Sequence, residues 1–373
     1  MKILVTGAKG FIGKNLIAEL RNRNYLEILE YDVDCAEELL GEYCCDADFI
    51  YHLAGVNRPN ETCEFMTGNF GFTSTLLEKL RQHKNQCPVV LTSSTQAALS
   101  NPYGESKKAG EDLLFKFAQD CGNMVYIYRL PNVFGKWCRP NYNSVVATFC
   151  HNIANEQPIK VNEPDVLMNM AYIDDVVSEL IGAMEGMQHI NADGYCYVPT
   201  SYSVKLGDIA KLIKDFKTAR EKNLIPDMGD GFTKKLYSTY LSYLPLEKLL
   251  VPLKMNADIR GSFTEIIQTL DRGQISVNIT KSGITKGNHW HQSKTEKFIV
   301  VSGKASIQLR EVNSSEVIEY HVSGDKIAVI DVPPGYTHKL TNEGDHELIT
   351  IIWSNETFDP KHPDTYYLEV LNS

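Results

Sequence analysis

The chain has 373 residues, 43% hydrophobic, 23% charged and 10% aromatic, which suits a globular protein with a sizeable core and about two domains of roughly 150 residues each. Lys plus Arg number 37 against 47 Asp plus Glu, and a formal charge of -10 would repel a phosphate backbone, so no nucleic-acid partner is expected. No run of about 18 apolar residues is available to cross a bilayer, and Lys2 leads into a strand pattern in place of a secretion signal, so the expectation is a cytoplasmic protein with no membrane partner.

From Met1 to about Leu180, short apolar runs (Lys2 to Thr6, Phe49 to Leu53, Val89 to Thr92, Val125 to Arg129) alternate with longer helix-period stretches. Such alternation reads as βαβ units and predicts an α/β Rossmann-type doubly wound parallel sheet. The first run enters "GAKGFIG", which sets Gly7, Gly10 and Gly13 at a strand-to-helix turn, with Phe11 and Ile12 opening the helix. Bare backbone there admits a pyrophosphate at the positive helix end; the plain alternative is a structural turn. Asp32 closes the second run, where a carboxylate would accept a ribose 2'-OH and repel a 2'-phosphate, favouring NADH. Leu53, Ala54 and Gly55 leave the third strand with room beside a cofactor, or merely form a tight strand exit.

"TSS" (Thr92 to Ser94) ends a further strand, and Tyr103-Gly-Glu-Ser-Lys107 follows on a helix. Four residues apart, Tyr103 and Lys107 share a helix face, where the ammonium would depress the phenol's pKa and reach a nicotinamide ribose. With Ser94 holding the substrate oxygen, this is a relay that protonates a carbonyl oxygen as hydride arrives at carbon. Which of Thr92, Ser93 and Ser94 takes that part is open, because the gap to Tyr103 is short. Val204, Leu206, Ile209, Leu212, Ile213 and Phe216 then follow helical spacing.

Near Leu246 the texture changes to short alternating segments, among them Gln274 to Thr280, Glu296 to Ser302, Ala305 to Arg310 and Ile327 to Val332, punctuated by Gly and Pro. Many short strands without a long helix predict a barrel or sandwich. The expected domains are residues 1–245 and 246–373. All nine cysteines fall between Cys35 and Cys196 without a C-x-x-C pair and read as reduced core thiols, with vicinal Cys44 and Cys45 the one hint of redox sensing. Six of the ten histidines lie at or after His289. In Gly283-x5-His289-x-His291-x4-Glu296-x6-Gly303 and Pro333-x-Gly335-x2-His338-x3-Asn342, strand alternation puts His289 and His291 on one face, where Glu296 and His338 can join them. Three imidazoles and a carboxylate suit a divalent metal, Zn2+ ahead of Mg2+, with Mn, Fe or Ni also fitting. His321, His346 and His362 read as ordinary histidines.

Three resemblances follow from these residues. Residues 1–245 resemble an extended short-chain dehydrogenase/reductase, supported by Asn69, "RLPNVFG" (Arg129 to Gly135) and "YIDDVV" (Tyr172 to Val177) in the order that family shows, with Asn132 in a substrate position. The histidine spacing is similar to that of cupin (jelly-roll) barrels. "DIRGSFTE" and "QISVNITKSGITKGNHWHQ" resemble the entry strands of deoxysugar 3,5-epimerases of the RmlC type, which implies that Arg260 and Glu265 hold a nucleotide-sugar, and Lys286 joins them as a substrate candidate. The plain alternative for Arg260 and Glu265 is a structural ion pair. The catalytic histidine of that type falls on His289, here expected to be a ligand, leaving Lys286, Glu265 and Tyr336 as candidate proton carriers.

The tandem arrangement, with "LYSTYLSYLP", "GKWCRPNYNSV" and "KGNHWH" in place, resembles the CapF family of capsular polysaccharide biosynthesis over essentially the whole chain. The resemblance implies a bifunctional homodimer whose cupin epimerises C3 of a UDP-2-acetamido-2,6-dideoxy-4-hexulose. The first domain would then reduce the C4 ketone with NADPH to UDP-N-acetyl-6-deoxy-L-talosamine, precursor of UDP-N-acetyl-L-fucosamine for capsule or O-antigen. The rivals are a 4-keto sugar-nucleotide reductase with a non-catalytic cupin, and a dinucleotide-binding redox sensor without turnover.

Overall fold

A computed structural model describes residues 1–371. Its contacts divide the chain into two units, Met1–Lys214 with Lys235–Pro245, and Asp215–Lys234 with the chain from Leu246 onward.

In the first unit, short β-branched and aromatic runs form β1 (Ile3–Thr6), β2 (Ile28–Tyr31), β3 (Phe49–His52), β4 (Val89–Ser94) and β5 (Val125–Leu130). They pair in parallel in the order β2-β1-β3-β4-β5. Every residue of β1 and β3 is buried, as strands covered on both faces require. On one face the helices Phe11–Asn22 and Ile173–Met184 bring Leu16, Leu20, Val176 and Leu180 to Ile3, Val5 and Tyr51. On the other, the helices Glu37–Asp46, Phe72–His83 and Pro102–Cys121 bring Leu40, Leu76, Leu80 and Phe117 to Leu4 and Ile50. The sheet is therefore doubly wound, and its direction of growth reverses between β1 and β3, which opens a crevice at their carboxyl ends. A second, three-stranded sheet joins β6 (Asn132–Phe134), β7 (Leu167–Tyr172) and β8 (Tyr202–Lys205). Val204 belongs to β8, paired with Met168, and the helix expected from it begins at Leu206.

The second unit is strand-rich: β9 (Leu224–Ile225), β10 (Asn256–Asp258), β11 (Gly261–Thr269), β12 (Gln274–Thr280), β13 (Thr285–Trp290), β14 (Glu296–Ser302), β15 (Lys304–Glu311), β16 (Val317–Ser323), β17 (Val329–Val332), β18 (Tyr336–Asn342), β19 (Leu348–Ser354) and β20 (Tyr366–Tyr367). These strands do not close into one barrel. They form two separate sheets, β10-β11-β12-β19-β14-β17 with β9 added on β11, and β16-β15-β18-β13-β20. Phe298, Val300 and Leu348 from the first and Ala305, Ile307, Leu309 and Leu340 from the second make the core. The parallel pairing of β9 with Gln268 and Thr269 draws Asp215–Lys234 into this unit, although a single boundary at 245 leaves it with the first. No helix among the described residues is long and apolar enough to cross a membrane.

Candidate functional site

In the first unit the expected cofactor residues meet at the β1/β3 crevice. Gly7 has φ +69° and a Cβ on it would lie 2.8 Å from the Ala54 nitrogen, so only glycine lets the loops after β1 and β3 touch. A Cβ on Gly13 would lie 2.3 Å from the Gly7 oxygen, which presses the helix Phe11–Asn22 against the turn. That helix starts without a side-chain cap or an acidic residue in its first turn, so its N–H groups remain for an anion. Glycine backbone, an uncapped helix start and the crevice together fit a dinucleotide pyrophosphate. Asp32 follows β2 directly; one of its oxygens accepts from the Lys9 nitrogen at 2.7 Å and the other from the Val33 nitrogen at 2.8 Å, while the Lys9 side chain pairs with Asp34.

The relay lies where β4 ends. Asn101 caps the helix Pro102–Cys121 by accepting from the Gly104 nitrogen at 2.9 Å, and Pro102 starts it with no N–H to satisfy. Tyr103 and Lys107 lie one turn apart on that helix. A 3-10 turn, Thr95–Ala98, spans the short gap and sets Ser94 beside the Tyr103 phenol, with Ser94 Oγ accepting from the Gln96 nitrogen at 3.2 Å. Ser93 is excluded from this contact, since its hydroxyl donates to buried Glu111 at 2.5 Å. Glu111 also holds Arg129 through both oxygens, at 3.0 and 2.7 Å.

Lys107 is buried and donates to the Thr92 carbonyl at 3.2 Å; burial pushes it down to about 8, with Glu111 opposing. The expected depression of the Tyr103 phenol is not met. Burial raises it, outweighing the opposing effect of neighbouring Ser94, so the phenol keeps its proton at neutral pH. Gly55 faces both partners of this wall, its missing Cβ being 2.8 Å from Asn69 Oδ1 and 2.9 Å from Lys107 Nζ. Asn69 sits on a π-helical turn, Met66–Gly71, and ties the loop after β3 to the relay helix through Val56 at 3.0 Å and Ser106 at 2.9 Å. Asn132 is exposed at the start of β6, with its amide on the Asn169 carbonyl at 3.3 Å.

In the second unit the quartet converges. Donor atoms of His289, His291, Glu296 and His338 all lie within 4.8 Å of one another. Glu296 Oε2 is 3.5 Å from His291 Nε2 and 3.3 Å from His338 Nε2, and these three buried atoms form no proper hydrogen bond. Buried polar atoms left unsatisfied are costly, and ligands about 2.0–2.2 Å from a shared ion lie at roughly such separations from one another, so the set fits a divalent metal. Burial, and then the neighbouring His338, push His289 down to about 4, keeping it neutral. Burial alone would raise the Glu296 carboxyl, but the imidazoles of His291 and His338 hold it well below the usual range.

A β-bulge between Gly287 and His289, with φ +112° at Gly287 and +56° at Asn288, interrupts alternation in β13. Lys286, three residues before His289, therefore reaches the same interior and donates to Asn278 Oδ1 at 2.8 Å. β12 is inverted around that point: Gln274, Ser276, Asn278 and Thr280 are buried, while Ile275, Val277 and Ile279 are only half-buried. Arg260 and Glu265 do not form the ion pair considered above. Arg260 is exposed and binds Asp258 at 2.7 and 2.9 Å, whereas Glu265 accepts from Gln268 at 2.9 Å. Tyr336 is half-buried at the start of β18.

Sequence reasoning missed Glu111, Asp258 and Asn278, whose neighbours are set by strand register and helix packing. All nine cysteines are unpaired; Cys44 is buried and its thiol is pushed up to about 12, so it yields little thiolate for redox sensing.

Residues 3–193 match the NAD dependent epimerase/dehydratase family, and residues 256–366 match the polysaccharide biosynthesis C-terminal domain. The chain is 42% identical over 370 residues to a UDP-2-acetamido-2,6-beta-L-arabino-hexul-4-ose reductase of Pseudomonas aeruginosa, covering 99% of each. It is 53% identical, with a TM-score of 0.94, to the capsular polysaccharide assembling protein CapF of Staphylococcus aureus, covering 99% of this chain and all of the other. A CapF structure with the inhibitor 3-isopropenyl-tropolone is 48% identical at a TM-score of 0.89, with the same coverage. The chain thus belongs to the NAD dependent epimerase/dehydratase family, within the group that contains CapF.

Proposed function

We propose that this chain is a bifunctional nucleotide-sugar enzyme acting on a UDP-2-acetamido-2,6-dideoxy-4-hexulose. The second unit, of cupin type, inverts C3, and the first unit reduces the C4 ketone with NADPH to give UDP-N-acetyl-6-deoxy-L-talosamine, a precursor of UDP-N-acetyl-L-fucosamine for capsule or O-antigen. The observation that carries the reading is Tyr103, with Ser94 beside it, one helical turn from buried Lys107 next to the β1/β3 crevice. The reductase name of the Pseudomonas aeruginosa relative supports the substrate class.

A reduced nicotinamide bound along Gly7, Gly10, Phe11, Ile12 and Gly13 would supply hydride to C4. Tyr103, which holds its proton, delivers it to the developing oxyanion; Ser94 orients that oxygen; Lys107, anchored on the Thr92 carbonyl, offsets the charge left on the phenol. Leu53, Ala54 and Gly55 leave space for the nicotinamide ribose. Asp32 would meet the adenosine ribose and leaves NADH a possible substitute.

His289, His291, Glu296 and His338 would hold Zn2+ or a similar ion, which would supply Lewis-acid stabilisation of negative charge beside a ketone. With its ammonium weakened by burial, Lys286 is suited to carry the C3 proton or hold the sugar, and Glu265 and Arg260 lie on the neighbouring β11 and the turn before it. One ketone serves both steps, first acidifying the C3 proton and then accepting hydride. Leu246, Leu249, Leu250 and Ile259, exposed on the chain before and after edge strand β10, support a homodimer.

The test is incubation of a UDP-linked 4-keto-6-deoxy-N-acetylhexosamine in heavy water, with and without NADPH, followed by NMR. Deuterium at C3 without NADPH, and a C4 alcohol with it, are expected. A C4 alcohol without deuterium at C3 would reduce the protein to a reductase with a non-catalytic second unit.

A further inference from the structure

The turn joining two of the quartet's residues is held from far along the chain. Asp364, on the segment leading into β20, has φ +36°. Its Oδ1 accepts from the Gln292 nitrogen, and its Oδ2 from the nitrogens of Ser293 and Lys294, each at 2.9 Å; Ser293 Oγ adds a bond at 3.1 Å. Those three residues form the turn between His291 and Glu296. The carbonyl oxygen of the same Asp364 accepts from His291 Nδ1 at 2.5 Å. An imidazole that donates through Nδ1 presents a bare Nε2, and Nε2 is the His291 atom that faces Glu296 without a proper hydrogen bond.

The rest of the segment reinforces this hold. Lys294 Nζ donates to the Pro363 carbonyl at 3.0 Å, His289 and Trp290 pair with Tyr367 and Tyr366, the Leu368 nitrogen donates to the Asn288 carbonyl at 3.0 Å, and Thr337, beside His338, donates to the Leu368 carbonyl. All three histidines thus sit on chain that this strap grips.

We propose that Asp364 is a positioning residue for the metal, fixing the tautomer of His291 through its carbonyl and the His291-to-Glu296 turn through its carboxylate. The inference rests on the metal reading of the quartet. A strap that only tied down the C-terminal segment would need β20 pairing alone; here one residue serves the orientation of one ligand and the spacing of two. Partners behind a ligand of this kind typically govern metal affinity by 10–100-fold.

The test uses the full chain, metal-stripped and titrated with Zn2+ against a chromophoric chelator, and separately loaded with Co2+ for its visible spectrum, which reports ligand geometry. Asp364→Ala keeps the backbone carbonyl but frees it from the turn that the carboxylate anchors, and is expected to weaken Zn2+ binding by about 10–100-fold and to alter the Co2+ bands, with Asp364→Asn, which keeps one acceptor, falling between it and the wild type. A tie of purely structural meaning would lower the melting temperature of the metal-free protein and leave affinity and spectrum unmoved. Asp364→Ala that is folded by circular dichroism and binds both metals as the wild type does overturns the proposal. If Asp364→Ala does not fold, wild-type affinity and spectrum in Asp364→Asn overturn it instead. Failure of the wild type to bind either metal is a different result, which removes the metal reading itself and this inference with it.

Discussion

Ser93 Oγ donates to Glu111 Oε1 at 2.5 Å, in the interior of the first unit, while Ser94 turns the other way to meet Tyr103. Adjacent residues on a strand face opposite sides, so the two serines have different neighbours. Ser93→Ala would leave the buried Glu111 carboxylate short of a donor and is expected to destabilise the protein by about 1–3 kcal/mol, read by denaturant unfolding, with reduction persisting in the folded protein. Ser94→Ala should instead lose a hydrogen bond to developing charge worth about 1.5–3 kcal/mol, roughly a 10- to 150-fold fall in kcat/KM for reduction. The opposite assignment of the two phenotypes would make Ser93 the relevant hydroxyl.

Tyr103→Phe should lower nicotinamide oxidation by about 10²–10⁴-fold, the usual worth of a positioned general acid. Deuterium exchange at C3, measured by NMR on the same sample, should continue, because the quartet lies in the other unit. Reduction at the wild-type rate would remove Tyr103 from the mechanism.

The pH profile of reduction should fall on its alkaline side with a midpoint near 8. Burial lowers Lys107 to about 8, so the ammonium that supports the phenol persists below that pH and is lost above it. Lys107→Arg, whose charge survives at all accessible pH, should remove this limb even if its maximal rate is low; a limb unchanged in that variant assigns it to another group.

His291→Ala should cut bound metal well below one equivalent, measured by elemental analysis, and lower the melting temperature of the second unit, since metal binding energy is folding energy. Complete chelation of the wild type should abolish C3 exchange. Exchange that survives chelation would assign the metal a structural role.

Lys286→Met should suppress C3 exchange while leaving metal content unchanged, because Lys286 reaches the interior through the β13 bulge and contacts Asn278 without touching the donor atoms of the quartet. Exchange at the wild-type rate would leave proton transfer to Glu265 or Tyr336.

Much of this was legible in the residues. Strand alternation marked β12 and β14 to the residue, because the side-chain period of two is a local property of the backbone. The glycines after β1, the four-residue step from Tyr103 to Lys107 and the histidine spacing were equally local signals, each tied to a chemistry that demands those residue types. Helix Phe11–Asn22 began where its glycine turn predicted.

What the linear order could not settle depends on atoms brought together from distant positions. The engagement of Ser93 by Glu111 follows from Glu111 lying behind β4, the upward shift of the Tyr103 phenol from how deeply the helix packs, and the partner of Arg260 from the tightness of the turn that returns it to Asp258. The two open sheets and the Asp364 strap are likewise products of register and closure, since hydrogen bonding across a sheet and burial of charge are decided by neighbours in space and not by neighbours in sequence.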